Sequence, residues 1–373
     1  MAAATMAVRT TTRLPATDRG PSPTTRSASS RKAGLRDTTG AGGTTMTDIH
    51  AIILTLDEEK HIARCIESIR AQCKSILVVD SGSKDRTREI AAGLGAEVIE
   101  NPWINYATQT NKAIAASAGK TGWLMRIDAD EYLTPESAAG LHDLLDRQPH
   151  DVGGVVVRRQ IVFLGRRIKW GAIEPSWQLR LWRAGQGSCE QRWMDEHIIV
   201  TGKVVRSTID LVDENLNSLD WWTGKHNRYA SREVIDILAS RGLLGENMDI
   251  QRHSASWQAK LKRFVKERIY EKLPGGVRPV FFFLYRYVAR LGFLDGKQGY
   301  YFHILQGFWY RTLVDAKLDE IMALAKRRGI PVSEAVRLAT GFDPNVAVPA
   351  LVQQPARPVV PEIERSRERA IAH

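Results

Sequence analysis

Four short apolar runs, spaced through residues 50–128 with an acid near three of their ends, constrain this chain more than any other feature. They are His50–Leu56, Ser75–Asp80, Ala96–Glu100 and Trp123–Asp128. Each has the length and apolar content of a buried strand. Helical patterns fill the gaps. After Asp57-Glu58-Glu59, the residues Ile62, Ile66 and Ile69 share one face. The turn Ser81–Thr87 leads into a second helix, and Asn105–Ala118 reads as a third, carrying Gln109, Asn111 and Lys112. Strand–helix alternation of this kind predicts an α/β fold with a parallel sheet. Ligands of such sheets sit beyond the carboxyl ends of the strands, where this chain puts its acids.

The densest acidic end is Asp128-Ala129-Asp130-Glu131. An Asp-x-Asp there can hold Mg²⁺ or Mn²⁺, hard cations that prefer oxygen ligands. A diphosphate on that metal has its charge neutralised and leaves more easily. Taken alone, the same residues also fit a solvated acidic turn or a helix N-terminus. Asp80 ends its strand where a carboxylate can accept from a ribose hydroxyl or a base N–H, and Gly82 lets a ligand approach the backbone. Asp85 fits an N-cap as well as a ligand contact. The Gly-x-Gly-x-x-Gly of a dinucleotide fold is absent from the first turn, which argues against a dehydrogenase.

In order and separation, Thr55-Leu56-Asp57-Glu58-Glu59, Asp80-Ser81-Gly82-Ser83-Lys84-Asp85-Arg86-Thr87 and Asp128-Ala129-Asp130-Glu131 resemble the family-2 inverting glycosyltransferases, which have a GT-A-type nucleotide-sugar-binding domain. Gly292-Phe293-Leu294-Asp295-Gly296-Lys297 resembles the C-terminal signature of the lipopolysaccharide-core and exopolysaccharide branch. The likeness covers roughly residues 48–315. It implies that Thr55, Glu58, Asp80 and Asp85, with Gly82 and Ser83 of the same turn, line the nucleotide site. It also implies that Asp128 and Asp130 hold the metal and the sugar-nucleotide, and that Asn111 and Lys112 lie near the diphosphate.

An inverting transfer needs a base for the acceptor hydroxyl, and a carboxylate can serve. The family supplies it after the central sheet. Here Trp193-Met194-Asp195-Glu196-His197 precedes the apolar Ile198–Val200 run, so Glu196 is the first choice and Asp195 the second. His197 and His226 read as structural rather than as ligands. Trp170, Trp177, Trp182, Trp193, Trp221 and Trp222 crowd this half. One or two of them are expected at the acceptor and the others in the core.

From Trp257 the pattern turns helical, with Trp257, Leu261, Phe264, Val265 and Ile269 on one face. Pro279–Leu294 is apolar but spans only about 24 Å as a helix, against a hydrocarbon core of roughly 30 Å. Residues 257–290 carry nine Lys or Arg against two Glu. A basic amphipathic pair of helices lying in a membrane interface is expected, in competition with helices that merely pack on the sheet.

The expected organisation is a disordered leader over 1–46, a catalytic domain over 47–235, a helical region over 236–340 and a flexible tail over 341–373. The leader, with six Arg and one Lys against two Asp and almost no large apolar residue, cannot repay its ordering. A transit peptide and a natural start at Met46 are the other readings of it. Cys65, Cys73 and Cys189 lack zinc or disulfide spacing and read as reduced and structural.

By the resemblance, the leading function is metal-dependent transfer of a sugar from a nucleotide-diphosphate sugar to a lipid-linked or lipopolysaccharide/exopolysaccharide glycan. The expected place is the cytoplasm, peripheral on the inner face of the cytoplasmic membrane and against its anionic surface. The enzyme rival acts on polyprenyl phosphate. The non-enzyme rival is a membrane-surface binding protein on a degenerate fold. No recognised nucleic-acid motif accompanies the net charge of +11, and none is expected as a partner.

Overall fold

The computed structural model describes residues 46–190, 197–244 and 276–344. The four apolar runs become β1 (Ile49–Thr55), β2 (Ser75–Asp80), β3 (Glu97–Glu100) and β4 (Trp123–Asp128). They pair in parallel in the order β3-β2-β1-β4. The connections are helices α1 (Ile62–Ile69), α2 (Thr87–Gly93) and α3 (Tyr106–Ala116). The stripe Ile62, Ile66 and Ile69, joined by Cys65, is fully buried against Ile49, Ile53 and Ile127. Cys65 and Cys189 are buried and Cys73 is partly buried, and among the described residues none of the three is in a disulfide.

Beyond β4 the sheet is mixed. The added strands are β5 (Glu131–Leu133), β6 (Val152–Phe163), β7 (Arg166–Ile168), β8 (Ser176–Arg183) and, after a small separate pair, β11 (Lys203–Glu214). That small pair is β9 (Gly187–Cys189) with β10 (Ile198–Val200). The full order is β3-β2-β1-β4-β8-β6-β11-β5, with β7 on β6. β8 is antiparallel to both β4 and β6, while β11 is parallel to β6. Of the nine strands this sheet has among the described residues, six, β1–β4, β6 and β11, therefore point the same way. Their carboxyl ends share one edge, so Asp128 of β4 and Asp213 of β11 belong to one rim.

Two short helices, α4 (Pro135–Ala139) and α5 (Leu141–Asp146), cover one face. After β11 the chain enters α6 (Leu219–Ser240), capped by the Ser218 hydroxyl accepting from Trp221 N–H. Its Ala230, Val234, Ile235 and Leu238 pack on Tyr310, Val314, Leu318 and Ile321 of α9 (Tyr310–Arg328). Ala335 and Val336 of α10 (Val332–Thr340) close the same cluster. The domain boundary expected at 235 thus falls inside a continuous helix, because α6 must bury its lower stripe against α9.

Before α9 come α7 (Val277–Leu284), a π-helical turn Tyr285–Ala289, a 3₁₀ turn Gly292–Asp295, α8 (Gly296–Phe302) and a second π segment, His303–Trp309. The Gly-Phe-Leu-Asp-Gly signature has a structural task here. The buried Asp295 carboxylate accepts the N–H groups of Lys169 and Trp170, at 3.1 and 2.8 Å. Gly171 and Gly292 both lie against the His303 ring, where a side-chain carbon would collide with it. The signature fastens the C-terminal helices to the loop after β7.

Two of the nine cations counted toward a basic membrane face turn inward. Arg286 is buried and donates to Gly171 O, and Arg278 is paired with Asp315 at 2.6 Å. The other helix of that expected pair, from Trp257, lies outside the described residues. Among the described residues no helix is long and apolar enough to cross a membrane.

Candidate active site

The first two motifs form one interlocked platform over the ends of β1 and β2. The Asp80 carboxylate accepts from Thr55 Oγ1 at 2.9 Å, Gly82 N–H at 3.0 Å and Ser83 N–H at 2.8 Å, and from the Ser83 hydroxyl. Gly82 has φ +93°, a conformation that a side chain would strain. Asp57 N–H donates to Ser83 Oγ at 2.9 Å, Glu58 N–H to Thr87 Oγ1 at 2.8 Å and Glu59 N–H to Asp85 Oδ2 at 3.0 Å. Burial would raise the Asp85 carboxyl, but the Thr87 hydroxyl and the Glu59 and Thr87 amides hold it below the ordinary value.

Thr55, Asp80 and Ser83 are almost wholly buried. Asp80 was expected to accept from a ribose or base, yet its acceptor capacity is met inside the protein. The physical reason is that a tight turn leaves inward-pointing N–H groups, and a buried carboxylate is the strongest local partner for them. Asp85 likewise takes the turn-capping alternative.

Glu58 stands at the platform's inner border. His61, fully buried, places Nδ1 2.6 Å from Glu58 Oε2 and accepts Leu216 N–H at Nε2, 2.8 Å away. The backbone donor fixes the tautomer: the proton sits on Nδ1 and points to Glu58. The connection from β11 to α6 is thereby tied across the platform. Nothing in the sequence spacing announces this contact, because His61 and Leu216 are 155 positions apart.

On the β4 side the acids keep unspent capacity. Asp128 meets Arg180 Nη2 at 2.9 Å and Arg126 Nε at 3.3 Å, with its side chain 35% exposed. Burial opposes its charge, but the two guanidiniums hold it well below the usual carboxylate range. Glu131 is buried, accepts Asp128 N–H at 2.9 Å and pairs with Arg180. Asp130 is half-buried and, among the described residues, receives one neutral donor, Asn215 Nδ2, at 3.2 Å. Asp213, 3.4 Å from Arg159, is pushed up to about 6 by burial and by the nearby Asp130.

Among the described residues no group of three His, Cys, Asp or Glu side chains is arranged around a metal position. Mg²⁺, however, is commonly held by one or two carboxylates, with waters and substrate phosphates completing the shell. Asp128 and Asp130 fit that donor chemistry. Asp130 is the freer ligand, because Asp128 is already shared with Arg126 and Arg180.

The α3 residues separate. Asn111 exchanges two hydrogen bonds of 2.9 Å with the Cys189 backbone and clips α3 to β9. Lys112 is exposed. Gln109 is buried and donates to the Asn101 and Pro102 carbonyls. Asn111 was expected near a diphosphate, but its amide is used within the protein. Asp195 and Glu196 lie outside the described residues, between β9 and β10. Of the tryptophans, Trp182 is a core residue, Trp170 is 44% exposed, and Trp222 stacks on His226 with ring centroids 3.5 Å apart.

Arg126, Arg180, Asp213 and Lys225 belong to this rim and were not singled out from sequence. Lys225 alone left a trace, since Trp221 and Tyr229 lie one helical turn to either side of it.

Residues 50–209 match the family model described as Glycosyl transferase family 2. Among curated relatives, an uncharacterized glycosyltransferase of Rickettsia felis is 44% identical over 91 residues, 24% of this chain and 31% of that one. The lipopolysaccharide core biosynthesis glycosyltransferase LpsC of Rhizobium meliloti is 33% identical over 162 residues, 42% of this chain and 58% of its own. The chain spans only 29–31% of the length of the first three curated relatives it matches. Among solved structures, glucosyl-3-phosphoglycerate synthase from Mycobacterium tuberculosis, in complex with Mn²⁺ and UDP-glucose, aligns with a TM-score of 0.34 and 15% identity. That alignment covers 56% of this chain and 86% of the other.

Proposed function

From the premise that residues 50–209 form a glycosyl transferase family 2 domain, we propose that the protein transfers a sugar, with inversion, from a nucleotide-diphosphate sugar to a lipid-linked or lipopolysaccharide/exopolysaccharide glycan. The observation that carries this is the rim of β4. There a carboxylate held ionised by Arg126 and Arg180 stands beside Asp130, which has capacity to spare. A divalent cation on Asp130 and Asp128 would supply neutralisation of the donor's diphosphate.

The remaining work falls to the chain's own side chains. The platform of Asp80, Gly82, Ser83 and Asp85 keeps the nucleotide side of the rim in shape, and Glu58, fixed by His61, presents a carboxylate to it. Glu196, with Asp195 as its alternative, would take the proton of the acceptor hydroxyl. The likeness to LpsC supports the glycan acceptor. The test is a panel of nucleotide-sugars screened for protection against thermal unfolding, with and without Mn²⁺. Protection by none of them would refute the reading.

A lipid-linked acceptor calls for a membrane surface. Val280, Phe281, Leu284, Tyr285, Val288 and Phe293 are each 42–55% exposed within one short stretch. Scattered exposed apolar residues are ordinary, whereas a contiguous set marks an interaction surface. The proposed place is the inner face of the cytoplasmic membrane, held chiefly by apolar insertion. Phe281→Ser with Val288→Ser is expected to release the protein from phosphatidylglycerol-containing vesicles in co-sedimentation while leaving nucleotide binding intact. Unchanged co-sedimentation would remove the membrane from the proposal.

A further inference from the structure

The rim is completed by an element outside residues 50–209. Helix α6 and the connection that leads into it cross the rim, anchored at three points. Leu216 N–H is held by His61, Asn215 reaches Asp130, and the Tyr229 hydroxyl meets the Tyr106 hydroxyl at 2.7 Å. Between these anchors Lys225 sets its ammonium 4.6 Å from the centre of the Trp221 ring and 5.8 Å from that of Tyr229. Among the described residues none accepts a hydrogen bond from it or forms an ion pair with it. Of the two carboxylates in its field neither is within ion-pair distance of it: Glu58 lies against His61, and Asp130 accepts from Asn215 and keeps the capacity a metal would use.

A cation held among aromatic rings without its own counter-ion is poised for an anion that arrives later. Burial opposes the charge, yet the ring faces of Trp221 and Tyr229 and the carboxylates of Asp130 and Glu58 favour it, so the ammonium stays protonated. An anion between Lys225 and a metal on Asp130 would carry more than one charge and sit at the sugar end of the donor. We infer that Lys225 binds the distal phosphate of the donor's diphosphate, opposite Asp130, and so takes up charge on the leaving nucleotide. This rests on the nucleotide-sugar reading above. It adds a residue from α6 that would touch substrate, and with it a reason for α6 to be fixed so firmly to the rim.

The test is calorimetry on the full chain with UDP, GDP, ADP, CDP and dTDP and the five matching monophosphates, in EDTA and in Mn²⁺. Parent, Lys225→Met and Lys225→Arg are compared. The expected result is a diphosphate preference in the parent that Lys225→Met reduces by about 10- to 100-fold, the range for a hydrogen bond to a charged group. Monophosphate affinity should stay unchanged, and Lys225→Arg should keep most of the preference. Equal diphosphate binding by Lys225→Met and parent would overturn the inference while leaving the nucleotide-sugar reading in place. A parallel loss of monophosphate binding would also overturn it, because it would mean that Lys225 only supports the fold. If geranyl phosphate binding alone weakens in Lys225→Met, the lysine serves an acceptor phosphate and the assignment to the donor is wrong. No binding of any diphosphate by the parent would end both readings.

Discussion

The two halves of the rim use the same residue types to opposite ends. At β1 and β2, Asp80 and Asp85 accept N–H and hydroxyl groups from their own turn and from the end of β1. At β4, β11 and α6, Asp128, Asp130, Asp213 and Lys225 face each other or charged arginines, and Asp130 and Lys225 keep capacity unused. A carboxylate that satisfies a turn gives shape, whereas one placed among other charges gives chemistry. The comparison teaches that an acid at a strand end is not by itself a ligand contact. What decides is whether the backbone beside it already demands an acceptor.

The sharpest way to break this contrast is to truncate one acid from each half. Asp130→Ala is expected to reduce sugar transfer to background while changing stability by no more than about 1 kcal/mol, since it loses one neutral hydrogen bond at a half-buried site. Transfer assays and chemical denaturation check both parts. Retained transfer would remove Asp130 from the chemistry. Next in size is Glu196→Gln, expected to lower turnover by about 10²-fold or more with donor binding intact, as loss of a general base should. If Asp195→Asn is the damaging change instead, the base is one residue earlier.

Asp80→Ala should show the reverse pattern, with a stability loss of about 3 kcal/mol or more. It would orphan the buried Ser83 amide and the buried Thr55 and Ser83 hydroxyls, and take the acceptor from the Gly82 amide. A variant as stable as the parent would show that the platform does not depend on this carboxylate.

The smallest effect is a pH dependence that separates the helices from the platform. Burial pushes His226 and His303 down to about 4 from an ordinary 6.5. As pH falls from 6.5 toward 4, the unfolded chain gains protons that the folded rings refuse, so stability is lost across that window and not above it. Asp85, held below its ordinary 3.8, gives up its contribution only in more acidic solution. Asp213, pushed up to about 6, takes up a proton in the folded protein over the same window and offsets part of this loss, so the unfolding midpoint is expected to drop by only a few degrees between pH 7 and pH 5. A flat profile would mean the two rings are protonated in the folded protein.

Much of the fold was legible because its signals are local. A run such as Ser75-Ile76-Leu77-Val78-Val79-Asp80 states both a strand and its end, and Ile62, Ile66 and Ile69 state the face of a helix. These are period-two and period-3.6 regularities that neighbours along the chain suffice to express. The position of Asp128 and Asp130 at a carboxyl edge followed from the same regularity. So did the limit on a single spanning helix over Pro279–Leu294.

Only the tertiary structure decided which side chains meet. Arg180 reaches Asp128 because β8 runs antiparallel beside β4, and a strand's partner is not written in its own residues. Asp213 joins the rim because β11 inserts parallel to β6, 52 positions from Asp210 back to Arg158. Asp80 braces the turn through the Gly82 and Ser83 amides, whose direction depends on a backbone angle rather than on composition. Lys225 reached the rim through hydrogen bonds to residues more than a hundred positions away. Period and composition fix where a chain is extended or coiled. Charge pairing depends on distance through space, and chain closure alone sets that.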